Sequence, residues 1–165
     1  MKLSTLGIDP EIIVIKWEGP LKINDVLKTK NKAEDCGIYQ IYGTHNVFGP
    51  DTLLYIGQAP QSFADRISSH EDEWIKWEPV DVNIYLGRLG GYNGVSDKEW
   101  DLRITQAEQL IIYFCSPPYN RIKTFNMKES VILLNYGKRH RLPLMYSTLY
   151  ESEAPKENWK EYGKE

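Results

Sequence analysis

Two short tyrosine-bearing segments, separated by a turn-rich stretch, constrain the fold of this chain more than any other feature. Residues 37–42 read GIYQIY and residues 53–57 read LLYIG, so each combines apolar and aromatic residues with a glycine at one end. The stretch between them holds Gly, Pro and Asp at 49–51, which is typical of a turn. The two segments are therefore predicted to form an antiparallel hairpin, with Tyr39 and Tyr55 on neighbouring strands.

The remaining patterns predict an α+β fold in which the elements follow in the order strand, strand, helix, strand, helix. We expect a small central antiparallel β-sheet with three core strands, flanked by helices and open to extension by strands near both termini. The third core strand is predicted at 80–89, and the whole chain, 1–165, is interpreted as a single domain. Further strands are predicted at 11–17, 130–137 and 142–150, and helices at 21–30, 62–77 and 105–115.

The helix at 62–77 has a recognisable start and a face suited to burial. Ser62, followed three residues later by Asp65, resembles a capping box. Phe63, Ile67 and Trp74 recur at helical spacing and are predicted to face the core.

The helix at 105–115 carries a similar capping pattern, in which Thr105 is followed three residues later by Glu108. This pattern gives Glu108 an ordinary structural interpretation. The residues of this helix predicted to face the core are Ala107, Leu110, Ile111 and Phe114.

Composition predicts a soluble, cytoplasmic protein with a buried core. Hydrophobic residues make up 41% and charged residues 26%, and no run approaches the roughly 18 apolar residues of a membrane span. We therefore expect no membrane partner. Cys36 and Cys115 are the only cysteines and form no CxxC pair, so they predict free buried thiols rather than a zinc site or a disulfide framework.

Charge is unevenly distributed along the chain. The net charge is -3, yet residues 106–141 hold six basic and two acidic side chains. These basic residues are candidates for contact with phosphates, although charge alone favours an ordinary solvated surface. They are Arg121, Lys123, Lys128, Lys138, Arg139 and Arg141.

Six polar or aromatic residues are candidates for chemistry, and each also has a structural interpretation. Tyr39 and Tyr55 are ordinary strand aromatics if taken alone. Arg66 and His70 lie four residues apart, which places them on one face of a helix. Glu108 follows the capping pattern, and Asn120 suits a hydrogen bond to its own loop. Taken separately, none of them indicates a function.

Together these residues resemble the GIY-YIG nuclease family, which includes homing, repair and restriction endonucleases. Residues 37–39 match its first motif and residues 55–57 its second. Further along the chain the matches are to its catalytic arginine, a histidine seen in part of the family, its metal-binding glutamate and a following asparagine. The residues at those positions are Arg66, His70, Glu108 and Asn120. The resemblance covers roughly residues 33 to 124, leaving extensions at 1–32 and 125–165.

The resemblance implies metal-dependent hydrolysis of phosphodiester bonds in DNA, with DNA as the partner and no small-molecule cofactor. Glu108 would hold one Mg²⁺ or Mn²⁺ ion. Arg66 would bind the scissile phosphate. Tyr39 is the first choice for general base, and because a free phenol has a pKa of about 10 it would need help from a metal-bound water, Arg66 or His70. Tyr55 would position the phosphate or the water.

Asn120 is expected to orient Glu108 or the end of its helix. The linker between the two motifs, residues 40–54, is longer than is usual in the family, and the extra length is predicted to extend the hairpin loop. The flanking segments match no familiar DNA-binding module, so the resemblance leaves the DNA specificity open. A homo-oligomer is compatible with the sequence.

Two alternatives remain open at this stage. The first is a module that keeps the fold and binds DNA or another partner with little or no activity, because the acidic residues 71–73 beside His70 would repel a phosphate. The second is a structural or protein-interaction domain in which the motifs are incidental.

Overall fold

The computed structural model describes residues 9–29, 35–78, 80–91, 95–121 and 130–148. Within them the chain forms six strands, three α-helices and a short 3₁₀ helix, Ile75–Trp77, after α2. The strands are β1 (Glu11–Leu21), β2 (Gly37–His45), β3 (Gly49–Ala59), β4 (Asn83–Leu89), β5 (Val131–Gly137) and β6 (Met145–Thr148). The helices are α1 (Ile23–Val26), α2 (Phe63–Glu73) and α3 (Asp97–Cys115).

The six strands form one mixed sheet in the order β3-β2-β4-β1-β5-β6. The α+β prediction is confirmed, but a sheet of three antiparallel core strands is too small. β1 pairs with the free side of β4 in antiparallel fashion and with β5 in parallel fashion, and β6 completes the sheet. A parallel pair between segments more than a hundred residues apart leaves no local pattern in a sequence.

Helices cover both faces of the sheet around β2 and β4. On one face, called here the α3 face, strand residues such as Ile38 and Tyr42 pack against α3. On the other, the α2 face, Tyr39 and Ile41 pack against α1 and α2. Strand residues alternate between the two faces, which is why β2 is buried over its first seven residues. Tyr42 is a packing aromatic whose buried ring meets Tyr85 edge-on.

The hairpin differs from its prediction in where the extra residues go. β2 runs to His45 and β3 begins at Gly49, so the strands are longer and the turn is only residues 46–48. The predicted turn at 49–51 and the long loop were wrong. The ring Nδ1 of His45 accepts hydrogen bonds from the backbone N–H groups of Val47 and Phe48, which fixes the tip of the hairpin.

Helix α3 begins eight residues before its predicted start. Its true cap is Ser96, whose hydroxyl accepts from the Glu99 backbone while the Glu99 carboxylate bonds back to the Ser96 N–H. Thr105 and Glu108 therefore lie inside the helix, and the capping interpretation of Glu108 is wrong. The predicted inward residues of α3 are buried with one exception, Phe114, whose exposed ring stacks on Tyr146.

The other elements depart less from their predictions. The helix predicted at 21–30 is the four-residue α1, because β1 continues to Leu21 across a register irregularity. Ser62 caps α2 by accepting from the Asp65 backbone, and Phe63 and Ile67 are fully buried as predicted. Cys36 and Cys115 are free and only partly buried. None of the described helices is long and apolar enough to cross a membrane.

Asn135 ties β5 to β1 and to the segment that leads into β6. Its side-chain oxygen accepts a 2.9 Å hydrogen bond from the buried Trp17 indole, and its amide nitrogen donates to the Pro143 carbonyl at 3.0 Å. Both Trp17 and Asn135 are excluded from solvent. An unpaired indole N–H at this position would cost the full desolvation of a polar group.

We expect Asn135→Ala to lower the free energy of unfolding by about 1–3 kcal/mol, because it strands the Trp17 N–H inside the core. Urea titration monitored by tryptophan fluorescence measures this change. The matched control is Asn83→Ala, whose side chain accepts only from the exposed Lys22 ammonium, and it should stay within about 0.5 kcal/mol of wild type. Equal effects of the two substitutions would contradict this account.

Candidate active site at the edge of the sheet

The two predicted tyrosines lie side by side on the α2 face of the hairpin. Tyr39 on β2 pairs with Gly57 on β3, and Ile41 pairs with Tyr55. The tyrosines are therefore diagonal neighbours, and their ring centroids are 6.1 Å apart. They differ in accessibility, since Tyr39 is 0% exposed while Tyr55 is partly exposed.

The motif glycines have separate structural reasons. A Cβ on Gly57 would overlap the hydroxyl and ring of Tyr39 and come within 2.7 Å of the Tyr55 ring. The absence of a side chain at Gly57 therefore leaves room for the Tyr39 ring. Gly37 has a φ of +142° and lies against the Gly87 carbonyl, so a side chain there would be both strained and blocked. Each glycine sets the position of a strand or a ring.

Helix α2 places Arg66 and His70 over the two phenols. The His70 Nε2 lies 2.7 Å from the Tyr39 hydroxyl, and the imidazole ring packs against both tyrosines. His70 is buried, and burial together with the Arg66 guanidinium lowers its pKa below the ordinary value of 6.5. The imidazole is therefore neutral at physiological pH.

Two contacts of the His70 Nδ1 select opposite tautomers. The Trp74 indole N–H, which can only donate, points at Nδ1 from 3.3 Å. With that tautomer Nε2 carries the proton and donates to the Tyr39 oxygen. A Glu73 carboxylate oxygen also lies 3.3 Å from Nδ1 and suits the reverse arrangement, in which Tyr39 donates to Nε2. The ring can thus either give a proton to Tyr39 or take one from it.

Arg66 is the cation that both phenols face. Burial raises the pKa of Tyr39 well above its ordinary value, and the neighbouring Tyr55 adds to this, while the Arg66 guanidinium opposes it. Burial likewise raises the pKa of Tyr55, followed by the effect of Glu108, and Arg66 again opposes the rise. A phenolate at either position would therefore be stabilised mainly by Arg66. The Arg66 side chain itself is exposed.

Asn120 pairs with the outer edge of β3, the edge strand of the sheet. Its side-chain oxygen accepts from the Ile56 N–H at 3.0 Å, and its amide nitrogen donates to the Ile56 carbonyl at 2.7 Å. The next residue back, Tyr119, donates its N–H to the Leu54 carbonyl at 3.0 Å. Asn120 therefore satisfies the backbone groups of Ile56 that a further strand would otherwise pair with. It was expected to orient Glu108 or the end of α3, but its side chain binds the strand between Tyr55 and Gly57.

Glu108 reaches the same strand edge from the α3 face. Its carboxylate accepts a hydrogen bond from the Gln58 backbone N–H, two residues beyond Ile56. The Thr105 hydroxyl, one turn earlier on α3, lies 3.2 Å from the Gln58 side-chain oxygen. Burial raises the pKa of Glu108 to about 7, against the opposing effects of the Gln58 N–H and Arg66. Burial therefore favours neutralisation of this carboxylate, by a proton or by a bound cation.

An open cleft of about 1210 Å³ joins these groups across the edge of β3. Five of the six predicted catalytic residues line it, and Tyr39 lies directly behind them, bonded to His70. The lining also includes residues that sequence reasoning did not assign to the site: Glu73, Trp74, Gln109, Ile112, Pro118 and Tyr119. Tyr119 stands next to the motif asparagine, which was the available signal for it.

The structure separates the predicted basic residues. Arg121 lines the cleft. Arg141 is ion-paired with Asp51 at 2.9 Å, and the neighbouring His140 packs on Tyr42, which places this pair on the α3 face, away from Arg66. The Arg139 guanidinium donates to the Leu142 carbonyl, and Lys138 is exposed near Trp17. Lys123 and Lys128 lie outside the described residues.

The donor set around Glu108 fits a hard divalent cation bound mainly by substrate and water. One half-buried carboxylate that accepts a single backbone N–H keeps lone pairs free for a metal. Mg²⁺ is commonly held by one or two carboxylates with waters and substrate phosphate oxygens. Within the described ranges, no group of three or more His, Cys, Asp or Glu residues is arranged to hold a metal ion.

Comparisons of this chain with protein-family models, with curated proteins and with solved structures find no match.

From the raised pKa of Glu108 we predict how the free energy of unfolding of the metal-free protein depends on pH. Its folded value of about 7 lies above its ordinary value of 4.5, so its contribution to stability is complete below pH 4.5 and is lost as pH rises through 7. Glu108→Gln removes that loss. We expect the variant to be more stable than wild type at pH 8 by up to about 3 kcal/mol, with the difference shrinking below pH 4.5.

Urea unfolding in a chelating buffer across this pH range measures the difference. The matched control is Asp81→Asn, which removes a carboxylate that is almost fully exposed and should show no such trend. A difference between wild type and Glu108→Gln that is the same at pH 5 and pH 8 would contradict the burial of this carboxylate.

Proposed function

We propose that this protein is a metal-dependent endonuclease that hydrolyses phosphodiester bonds in DNA. The observation that supports the proposal most is the convergence of Tyr55, Arg66, His70 and Glu108 on one cleft, with Tyr39 behind them. These residues come from two strands and two helices on opposite faces of the sheet. The resemblance that selected them used only their order and spacing along the chain.

Arg66 is the group we assign to the scissile phosphate. Its guanidinium is exposed in the cleft, and it hydrogen-bonds the phenols of Tyr39 and Tyr55. A planar guanidinium can bind two phosphate oxygens, and its charge opposes the charge that develops in the transition state.

We assign the acceptance of the water's proton to Tyr39, with Tyr55 contacting the phosphate or the water from the cleft. The Tyr39 oxygen faces two donors that stabilise a phenolate, Arg66 and the Nε2–H of His70. His70 can in turn pass a proton toward Glu73, whose exposed carboxylate lies 3.3 Å from Nδ1. Burial keeps the phenol protonated at rest. Tyr39 therefore has to give its own proton to the His70 Nε2, while the Nδ1 proton of His70 passes to Glu73, as it takes the proton of the water.

Glu108 would hold the divalent cation, with one carboxylate oxygen on the Gln58 N–H and the remaining lone pairs available. A bound Mg²⁺ would polarise the phosphate and stabilise the leaving oxygen. Asn120 keeps the strand that carries Tyr55 and Gly57 in register with α3. These bonds tie β3, which carries Tyr55, to the segment that follows α3, the helix that carries Glu108.

A second function is favoured by one feature of the cleft. Glu73 stands on its wall, and the Tyr39 hydroxyl is covered in this structure, as expected of a module that binds DNA or another partner without cutting it. The two functions differ in their response to Mg²⁺. The binding module would show DNA affinity without cleavage under any divalent metal.

Substitutions of the site residues test the proposed activity. We expect Glu108→Gln and Arg66→Ala to reduce Mg²⁺-dependent cleavage of labelled DNA by at least about 100-fold, because each removes charge stabilisation of the transition state. Tyr39→Phe should cost about 10²–10⁴-fold if it is the base, and Tyr55→Phe less. The matched control is Arg103→Ala on α3, which breaks an ion pair with Glu11 of β1 and should cleave like wild type. Robust cleavage by Glu108→Gln would contradict the proposed metal-dependent nuclease function.

Metal binding can be tested without measuring activity. We expect millimolar Mg²⁺ to raise the melting temperature of wild-type protein, and more at pH 8 than at pH 6, because the cation competes with a proton for Glu108. Glu108→Gln should show no such increase. A shift of equal size in Glu108→Gln would place the metal elsewhere.

A further inference from the structure

A row of aromatic rings leads from the tip of the hairpin into the cleft. It consists of Phe48, His45, Tyr119, Trp74 and Tyr55, called here the aromatic row. Consecutive ring centroids are separated by 4.8 Å, 5.8 Å, 5.2 Å and 6.1 Å. The last ring belongs to the proposed active site, so the row connects the outer surface to the position of the scissile phosphate.

The outer rings of this row are exposed and held in place. Phe48 is 67% and Tyr119 is 37% exposed. Bonds from the Val47 and Phe48 N–H groups to the His45 ring fix the tip, and the bond from the Tyr119 N–H to β3 fixes that residue. The core does not require Phe48 at this position, because its exposed ring stacks on His45 at the surface.

The charges around the row do not suit a partner held mainly by its phosphates. Of the described charged residues that line the cleft, two are cationic and two are anionic: Arg66, Arg121, Glu73 and Glu108. Glu78 adds a further carboxylate beside Tyr119. A duplex carries about one negative charge per 1.7 Å and is normally bound by many cations. Among the described residues, the groups around this cleft therefore suit contacts with bases better than contacts with many phosphates.

We propose that the aromatic row stacks unpaired bases, so that the cleft takes a single-stranded DNA segment next to the scissile phosphate. Stacking on aromatic side chains is open to every base, because each has a π-face, and it does not need a basic surface. In a duplex these faces are already occupied by neighbouring bases. The position of the bound segment next to a phosphate that is cut rests on the proposed nuclease function. The binding of unpaired bases rests on the aromatic row alone.

The first test measures binding in a chelating buffer, where no cleavage occurs. The probes are a fluorescent oligothymidine and a hairpin duplex of similar length, titrated with wild-type protein at low salt. We expect tighter binding of the oligothymidine, and we expect Phe48→Leu and Tyr119→Leu each to weaken it by at least about 5-fold while leaving duplex binding unchanged. Phe48→Trp should bind the oligothymidine as well as or better than wild type.

The leucine and tryptophan variants separate stacking from general apolar contact. Leucine preserves apolar bulk without a π-face, so unchanged binding by Phe48→Leu would overturn the proposal and favour docking of a peptide or another apolar partner. The matched control is Tyr136→Ala on β5, a tyrosine that is 48% exposed and lies outside the row. It should bind both probes like wild type. Tighter binding of the duplex than of the oligothymidine would also overturn the proposal.

The second test compares cleavage of a forked duplex, whose strands separate into unpaired arms, with cleavage of the fully paired duplex in Mg²⁺. We expect the forked substrate to be cut faster, and Phe48→Leu to remove that preference. Equal cleavage of both substrates would overturn the single-strand inference and leave the nuclease proposal intact. Selective oligothymidine binding without cleavage of either substrate would refute the nuclease proposal and support base stacking by the row.

Discussion

The unpaired outer edge of β3 is the constraint on which the rest of the site depends. An edge strand presents N–H and C=O groups that need partners, and here successive outward-facing positions find them in different parts of the chain. Leu54 is bonded by the Tyr119 backbone, Ile56 by the Asn120 side chain and Gln58 by Glu108. One strand edge therefore brings the end of α3 and the segment after it to the same place as the second tyrosine motif.

This arrangement lets the site draw on both faces of the sheet. Tyr39, Tyr55 and the residues of α2 come from one face, and Glu108 comes from the helix on the other. The two halves meet only where the sheet ends, at β3. A carboxylate that is half-buried there, with a pKa raised to about 7, lies across an open cleft from an exposed guanidinium. That combination suits a cation and an anion arriving together, which a phosphodiester and its metal would supply.

The described basic residues do not surround the site with positive charge. The basic residues that follow α3 in sequence are divided between the cleft, the α3 face and positions outside the described residues. Arg141 is ion-paired with Asp51, and among the described residues of this basic segment Arg121 alone joins Arg66 in the cleft. The surface beside the proposed phosphate position is aromatic instead, from Tyr119 to Phe48.

The sequence by itself determined the hairpin, the buried faces of α2 and most of α3, and five of the residues that line the cleft, because these depend on local periodicity and on motif order. It did not determine the parallel pairing of β1 with β5, the true start of α3 or the division of the basic segment. It also placed the turn of the hairpin wrongly, since two His45 side-chain bonds decide that turn. Only the tertiary structure decided that Asn120 binds Ile56 rather than Glu108, and that Tyr39 is covered while Tyr55 is accessible. The physical reason is common to these cases: each depends on which distant backbone or side-chain group fills a hydrogen bond or covers a ring, and local sequence patterns carry no record of that choice.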